Sequence, residues 1–108
     1  MGGLELSLPK ALQVQERLAR LDGSLGWTVT LCSGAGWFVG FMEDSLPEEV
    51  FLNPKVCLAG SGFVGGKADK VGNSFRVNGS WTYASGALHA SHLTVNCEIL
   101  ENGIPVLN

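Results

Sequence analysis

Residues 68–92 read "ADKVGNSFRVNGSWTYASGALHASH", in which short runs rich in Val, Phe, Trp and Tyr are separated by glycine-containing turns. β-Branched and aromatic residues favour strands, and Gly72-Asn73 between two such runs is typical of a tight hairpin turn. A second turn is predicted at Glu101-Asn102-Gly103. Residues 55–108 are therefore predicted to form a β segment, whose strands are "KVCLA", "GKADKV", "SFRVNGSWTYA", "SHLTVNCEIL" and "IPVLN".

Residues 1–54 have the periodicity of helices rather than of strands. Ser7 is predicted to cap "LPKALQVQERLARLD", which carries apolar residues at helical spacing. Asp22 or Ser24 can cap a second helix over residues 25–42, and "DSLPEEV" predicts a short third one. Helices followed by strands indicate an α+β fold, with two to three N-terminal helices and then an antiparallel β-sheet or partial β-barrel.

The second predicted helix carries no charge over residues 25–42, and its 18 residues reach the lower limit for a membrane span. Thr28, Thr30 and Ser33 lie inside it and no basic cluster marks either flank, so a buried helix in a helical layer is favoured. One amphipathic helix cannot enclose such a segment. We therefore expect the chain to be a fragment that lacks some of its natural packing partners.

Charge and cysteine content exclude several classes of partner. The net charge is -3 with only 7 basic residues, which provides no electrostatic attraction for nucleic acid or an anionic membrane. Cys32, Cys57 and Cys97 are odd in number and lack C-x-x-C spacing, as is typical of reduced thiols in a cytosolic protein. Because "MGGLELSLPK" also lacks the pattern of a signal peptide, a cytoplasmic protein is predicted.

The stretch "KVCLAGSGFVG" has the form of a strand followed by G-x-G-x-x-G, with Gly60, Gly62 and Gly65 in the three glycine places. A dinucleotide site also requires a helix directly afterwards and an acidic residue about twenty positions further on. The next segment, "GKADKVGNSF", is too short and glycine-rich for a helix, and no Asp or Glu occurs in residues 71–97. A nicotinamide-type Rossmann site is therefore not expected.

His89 and His92 raise the question of a metal or nucleophile site. A catalytic zinc needs a third protein ligand, and two positions three apart on a strand point to opposite faces. Ser85 and Ser91 are close in sequence, but the hairpin contains no acid to orient a histidine base. No metal site is predicted, and a histidine hydrogen-bonded at a strand end is favoured.

The same residues 68–92 resemble the central β-domain of the acyl-CoA dehydrogenase superfamily of flavoproteins, which has a strand pair of the form aromatic-x-V-x-G and then a strand ending in Thr or Ser. Upstream, "GGLELSLPKALQVQERLARLDGSLGW" resembles the end of that superfamily's N-terminal helical domain. The resemblance implies that residues 1–54 end an all-α domain and that residues 55–108 begin a central β-domain. It also implies that the charge-free helix packs inside a larger helical assembly.

The resemblance further implies a flavin bound against the β segment, FAD or alternatively FMN or a reduced flavin. Tyr83 falls where an aromatic residue packs beside the isoalloxazine, and Ser85 where a Thr or Ser hydrogen-bonds the flavin N5/O4 edge. Protein donors at such positions tune the electronics of the cofactor. Matching main-chain donors in the preceding loop are expected at Ala59, Gly60 and Ser61.

The chain departs from the dehydrogenase pattern at one motif. Dehydrogenases of the superfamily usually carry "T-E-P-x-x-G-S-D" before the strand pair, whereas this chain has the shorter "AGSGFVGG". The sequence "G-S-W-T-Y-A-S-G-x-x-H-A" looks more like the branch of flavin-dependent monooxygenases that receive reduced flavin from a partner reductase. The catalytic glutamate of the dehydrogenases would lie in a C-terminal domain, so no residue of this chain is assigned as a catalytic base.

Three hypotheses follow. The first is the flavin-binding portion of an acyl-CoA dehydrogenase-like oxidoreductase, and the second is part of a two-component flavin-dependent monooxygenase supplied by a reductase. Both imply an acyl-CoA or aromatic substrate and a homo-oligomeric parent protein. The third hypothesis is a non-catalytic interaction domain that docks a partner through its apolar helix.

Overall fold

A computed structural model describes residues 4–42 and 45–106, and it contains three α-helices followed by a four-stranded sheet. The predictions that involve residues 1–3, Asp44 and residues 107–108 lie outside the described residues. A 3₁₀ turn, Ala87–His89, lies between the second and third strands. The elements in chain order are α1 (Leu8–Leu21), α2 (Gly23–Val39), α3 (Leu46–Leu52), β1 (Leu58–Val71), β2 (Ser74–Gly79), β3 (His92–Glu101) and β4 (Ile104–Pro105).

The helices begin close to where the sequence predicts them. Pro9 occupies the first turn of α1, where its missing N–H costs no hydrogen bond. The Asp22 carboxylate accepts a hydrogen bond from the Leu25 backbone N–H at 2.7 Å and so caps α2. Gly26 of α2 lies directly against Ala19 of α1, so the two helices approach closely.

The α+β prediction is confirmed, but the sheet is mixed rather than antiparallel throughout, and it does not close into a barrel. Its strand order is β2-β1-β3-β4, with β1 antiparallel to β2 and parallel to β3. The parallel pair is possible because the chain between β2 and β3 is long enough to return to the starting end of β1. Residues 80–91 make this return and are called the connection below.

β1 runs unbroken from Leu58 to Val71, although the sequence predicts two shorter strands there. The glycines of the G-x-G-x-x-G pattern lie inside this strand, and β2 follows it directly. The ladder between β1 and β3 shifts register between Ser61 and Val64 and again between Val64 and Gly66. Both predicted turns are present, since Gly72, Asn102 and Gly103 all have positive φ.

The core of the described residues is small. Val39, Val50 and Leu58 form one buried cluster, against which Ala35, Phe51 and Val56 pack. Much of α2 is exposed, including Trp37 at 67% and Phe38 at 62%. Exposed aromatic side chains on a helix are what the fragment hypothesis expects, since they would be covered by elements beyond this chain. No helix in the described parts of the chain has the length and apolar character needed to cross a membrane.

Candidate functional site

The connection, residues 80–91, is fastened to β1 at both of its ends. At the first end, the Ser80 backbone N–H donates to the Gly65 carbonyl at 3.0 Å. At the second end, the Ser91 backbone N–H donates to the Cys57 carbonyl at 2.8 Å, and the Ser91 hydroxyl accepts from the Cys57 N–H at 3.0 Å. The connection therefore runs back from the level of Gly65 in the middle of β1 to Cys57, the residue just before β1.

Trp81 fixes the start of the connection to the face of the sheet. Its indole Nε1–H donates to the Asn96 carbonyl on β3 at 2.8 Å. The ring lies so close to the glycines of β1 and β2 that a Cβ on Gly66 would stand 2.4 Å from the ring atom Cζ2. A Cβ on Gly79 would meet the same ring at 2.7 Å. The glycines of "GG" at 65–66 and "NG" at 78–79 thus leave the space that the indole occupies.

Helix α2 holds the middle of the connection. The Trp27 indole Nε1–H donates to the Ser85 hydroxyl oxygen at 3.0 Å, and the Cys32 thiol lies 3.7 Å from the Ser85 carbonyl oxygen. Gly86 has φ 83° and packs against the Cys32 sulfur, which a Cβ there would approach to 2.5 Å. Ser85, a predicted site residue, is therefore positioned by a helix as well as by the sheet.

The Cys32 thiol is a proton donor in this arrangement. Desolvation by burial raises the pKa of Cys32, and the neighbouring Cys57 thiol raises the pKa further. A raised pKa keeps the thiol protonated at neutral pH, so its S–H can be shared with the Ser85 carbonyl. The connection thus receives two donors from α2, the indole of Trp27 and the thiol of Cys32.

Tyr83, the second predicted site residue in the connection, has an unusual conformation. Its backbone is left-handed, with φ 58°, and its side chain is 95% exposed. A bulky residue pays a steric cost in this region, and such strain is concentrated at functional sites in known proteins. The ring is not part of the core and is open to solvent.

Ala59, Gly60 and Ser61 lie in the first half of β1, beside the connection. Ala59 is only 1% exposed, and Gly60 is covered on one face by Thr94 of β3. β2 pairs with β1 only from Gly66 onward, so within residues 4–42 and 45–106 no strand pairs with the outer side of this half. A ligand at this edge could reach main-chain groups of Gly60 and Ser61, which are half-buried, but not those of Ala59.

The two histidines have separate environments. His92 begins β3, and its Nδ1 lies 2.9 Å from the Ser91 hydroxyl, which confirms the interpretation of a histidine hydrogen-bonded at a strand end. His89 lies between the predicted strands and belongs to the 3₁₀ turn that follows the left-handed Gly86. In the described part of the chain, no three His, Cys, Asp or Glu side chains are grouped to hold a metal ion.

A shallow cavity of about 300 Å³ lies between α2 and the connection. Its walls are small and mainly apolar, with the exposed imidazole of His89 at one side. The lining residues are Thr28, Ala84, Gly86, Ala87, Leu88 and His89. Ala84 and Gly86, the sequence neighbours of Ser85, both line this cavity.

Two residues of the site were not predicted as functional from the sequence. Trp27 was considered only as part of an apolar helix, although a tryptophan indole usually finds a hydrogen-bond acceptor when it is packed. Trp81 falls within the predicted strand "SFRVNGSWTYA", which suggests only an ordinary place in the sheet. The two glycine pairs near it in sequence were a usable signal, since glycines on neighbouring strands often accommodate a large ring.

Proteins of named function match nearly the whole chain in sequence. It is 31% identical over 103 residues to a pigment production hydroxylase of Rhodococcus sp., and the match covers 94% of this chain and 27% of that protein. It is 30% identical over 106 residues to the oxygenase subunit HsaA of a flavin-dependent monooxygenase from Mycobacterium tuberculosis, covering 97% of this chain and 27% of the relative. No protein-family model matches the chain.

Solved structures give the same result for the backbone. The HsaA monooxygenase of M. tuberculosis superposes with a TM-score of 0.88 at 30% identity, over 97% of this chain and 28% of that one. XiaF from Streptomyces sp., solved in complex with FADH2 and glycerol, superposes with a TM-score of 0.89 at 27% identity, over 97% of this chain and 27% of that one.

These matches define the class to which the chain is similar. Its homologues and structural neighbours include oxygenase subunits of flavin-dependent monooxygenases, which have the acyl-CoA dehydrogenase-like fold. The resemblance inferred from residues 68–92 is therefore supported, and within it the monooxygenase branch is favoured over the dehydrogenases. The chain spans only about a quarter of the length of these relatives.

Proposed function

We propose that this chain is the flavin-side portion of the oxygenase component of a two-component flavin-dependent monooxygenase. The observation that carries the proposal is the backbone match over 97% of the chain to XiaF in complex with FADH2. In this proposal residues 1–54 end an N-terminal helical domain, and residues 55–108 begin a central β-domain. The wider protein would be a homo-oligomer that receives its reduced flavin from a partner reductase.

The described residues fit a flat, polar-edged ring of this kind. The Ser85 hydroxyl accepts from Trp27, and its hydrogen has no acceptor within the described residues. That hydrogen is available to the O4 of an isoalloxazine, and the remaining lone pair to an N5–H. Tyr83 offers an exposed ring nearby in the chain, and the half-buried residues Gly60 and Ser61 of β1 can offer a main-chain donor, whereas Ala59 is buried.

A bound reduced flavin would supply the two electrons for activation of oxygen, and the protein would supply position and exclusion of water. Ser85 orients the ring edge through its hydroxyl. Tyr83 limits access to one side of the ring. The cavity between α2 and the connection leaves room for a substrate. We propose an aromatic substrate because one relative is an indole-3-acetate monooxygenase from Pseudomonas putida. That relative is 30% identical over 89 residues, and the match covers 82% of this chain and 23% of the relative.

The dehydrogenase hypothesis, with FAD retained and an acyl-CoA substrate, has less support. The segment "AGSGFVGG" that replaces the dehydrogenase motif is part of the continuous strand β1, so no separate loop is present there to contact a pyrophosphate. The hypothesis of a non-catalytic interaction domain is not supported by the relatives reported above, two of which are named as monooxygenases.

The proposal is tested by anaerobic titration of the protein with FADH2, FMNH2, FAD and FMN, followed by equilibrium dialysis. We expect the reduced flavins to bind more tightly than their oxidised forms, and the ratio of FADH2 to FMNH2 affinity to identify the natural cofactor. Tight retention of oxidised FAD would favour the dehydrogenase hypothesis. A protein that binds none of the four would contradict any flavin function.

A further inference from the structure

The hydrogen bond between α2 and the connection has a chemical consequence for the proposed flavin contact. An indole N–H can only donate, so in the 3.0 Å pair between Trp27 and Ser85 the serine oxygen must be the acceptor. A serine hydroxyl has one hydrogen and two lone pairs. The bond from Trp27 takes one lone pair and rotates the hydroxyl hydrogen away from α2.

The remaining contacts keep the hydroxyl in this orientation. The Ser85 carbonyl accepts from the Cys32 thiol at 3.7 Å, and Gly86 packs against Cys32 and Thr28 of the same helix face. Three contacts from α2 therefore restrain residues 85 and 86 at both side chain and main chain. These contacts fix the main chain at Ser85, and the bond from Trp27 directs its hydroxyl.

We propose that Trp27 is a positioning residue that presents the hydroxyl of Ser85 to the polar edge of a flavin. By occupying one lone pair, the indole leaves exactly one donor and one acceptor at Ser85. An oxidised flavin can use the donor at O4, whereas a reduced flavin can use the donor at O4 and the acceptor for its N5–H. The orientation set by Trp27 therefore matters more for a reduced ring, which uses both groups, than for an oxidised ring, and this difference rests on the proposed function.

The geometry is tested first without flavin. The chain contains three tryptophans, so their indole N–H resonances can be followed separately by ¹H–¹⁵N spectroscopy. Ser85→Ala should shift the Trp27 indole resonance and leave those of Trp37 and Trp81 unchanged. Ser85→Thr keeps the hydroxyl and should leave the Trp27 resonance close to its wild-type position. Ser80→Ala is the matched control and should leave the Trp27 indole resonance where it is in the wild type. A Trp27 resonance that ignores Ser85→Ala would overturn the proposal.

The functional consequence is tested by flavin affinity. Trp27→Phe should weaken binding of the reduced flavin about fivefold, the effect of one oriented hydrogen bond. Oxidised flavin should lose less, and Trp37→Phe should change neither affinity. In a double-mutant cycle, Ser85→Ala should reduce the affinity for reduced flavin less in the Trp27→Phe background than in the wild type. Each substitution alone already removes the same Trp27–Ser85 hydrogen bond.

The outcomes separate this inference from the proposed function. If the wild type binds reduced flavin and Trp27→Phe binds it equally well, the role of Trp27 is contradicted and the flavin function stands. Additive effects in the cycle would also overturn the positioning role. If the wild type binds no flavin, the proposed function fails, and the role of Trp27 toward a flavin fails with it.

Discussion

The two sides of the connection between β2 and β3 are held by two tryptophans in different ways. Trp81 lies over glycines of β1 and β2 and donates to a backbone carbonyl of β3. Trp27 is 61% exposed and reaches the connection through a single bond to a side-chain hydroxyl. The Trp81 contact depends on close packing, whereas the Trp27 contact depends on a hydrogen bond for which water or a ligand can compete.

This difference indicates how the site divides its tasks. Packing of a large ring against backbone is insensitive to ligands, so it fixes where the connection lies. A hydrogen bond to a hydroxyl is weak in net terms, about 1 kcal/mol, but it determines which way a proton points. We therefore expect the loss of the Trp81 contacts to affect stability, and the loss of the Trp27 hydrogen bond to affect ligand binding more than stability.

The largest effect on stability is expected for Gly66→Ala, because the added Cβ would lie 2.4 Å from the Trp81 ring. Displacement of the indole should lower the free energy of unfolding by about 2 to 3 kcal/mol. Urea unfolding followed by circular dichroism measures the change. Gly62→Ala on the same strand is the matched control, since a Cβ there meets nothing within 4 Å. Equal stability of the two variants would refute close packing under Trp81.

A smaller loss is expected for Gly86→Ala, on the helix side. An alanine at φ 83° is strained, and its Cβ would also meet the Cys32 sulfur, so the cost should be about 2 kcal/mol. Gly72→Ala shares the positive φ but has open space around it, and should cost about 1 kcal/mol. The same urea experiment compares them. If the two variants lose the same stability, the packing of the connection on α2 contributes nothing.

Trp81→Phe should lower the free energy of unfolding by about 1 kcal/mol, since it keeps an aromatic ring but removes the bond to the Asn96 carbonyl. Trp37→Phe is the control, because Trp37 is exposed and contacts Phe38 and Phe41 by ring edges alone. Thermal unfolding by circular dichroism avoids the change in tryptophan fluorescence. A greater loss for Trp37→Phe would show that the helix, and not the sheet, carries the more important tryptophan.

The smallest effect is expected far from the connection, at the ion pair between Lys70 of β1 and Glu101 at the end of β3. The atoms are 3.2 Å apart and both side chains are about half exposed, so Lys70→Met should cost less than about 0.5 kcal/mol. The loss of stability caused by Lys70→Met should decrease when the salt concentration is raised from about 0.05 to about 0.5 M, because salt screens exposed charges. A salt-independent loss above that of Trp81→Phe would reverse the expected order.

Much of the fold could be predicted from the sequence because its signals are local. Caps such as Asp22, the hairpin at Gly72 and the turn at Asn102 depend on neighbouring residues, and each lies where the sequence places it. The parallel pairing of β1 with β3 was missed, since it depends on where the connection returns, which no local pattern encodes. The early end of β2 at Gly79 has the same origin, because Trp81 turns onto the sheet.

The candidate site was predictable only in part for a similar reason. Tyr83 and Ser85 could be selected because the resemblance is carried by contiguous residues 68–92. Trp27 is 58 positions away from Ser85 in the chain, and the meeting of the two depends on how α2 packs against the connection. Whether Ala59, Gly60, Ser61, Tyr83 and Ser85 bind one ligand stays a prediction, to be tested by the flavin experiments.

The register shifts of β1 have a further consequence for how the chain behaves in solution. An unpaired strand edge invites a strand of another molecule, which is how many proteins begin to aggregate. Between Ser61 and Gly66 the ladder is broken twice, and side chains of Ser61 and Asn96 bond to the backbone at residues 63 and 62. A strand with breaks of this kind is a poor template for a regular strand of another chain, so we expect this part of the sheet to resist edge-to-edge pairing.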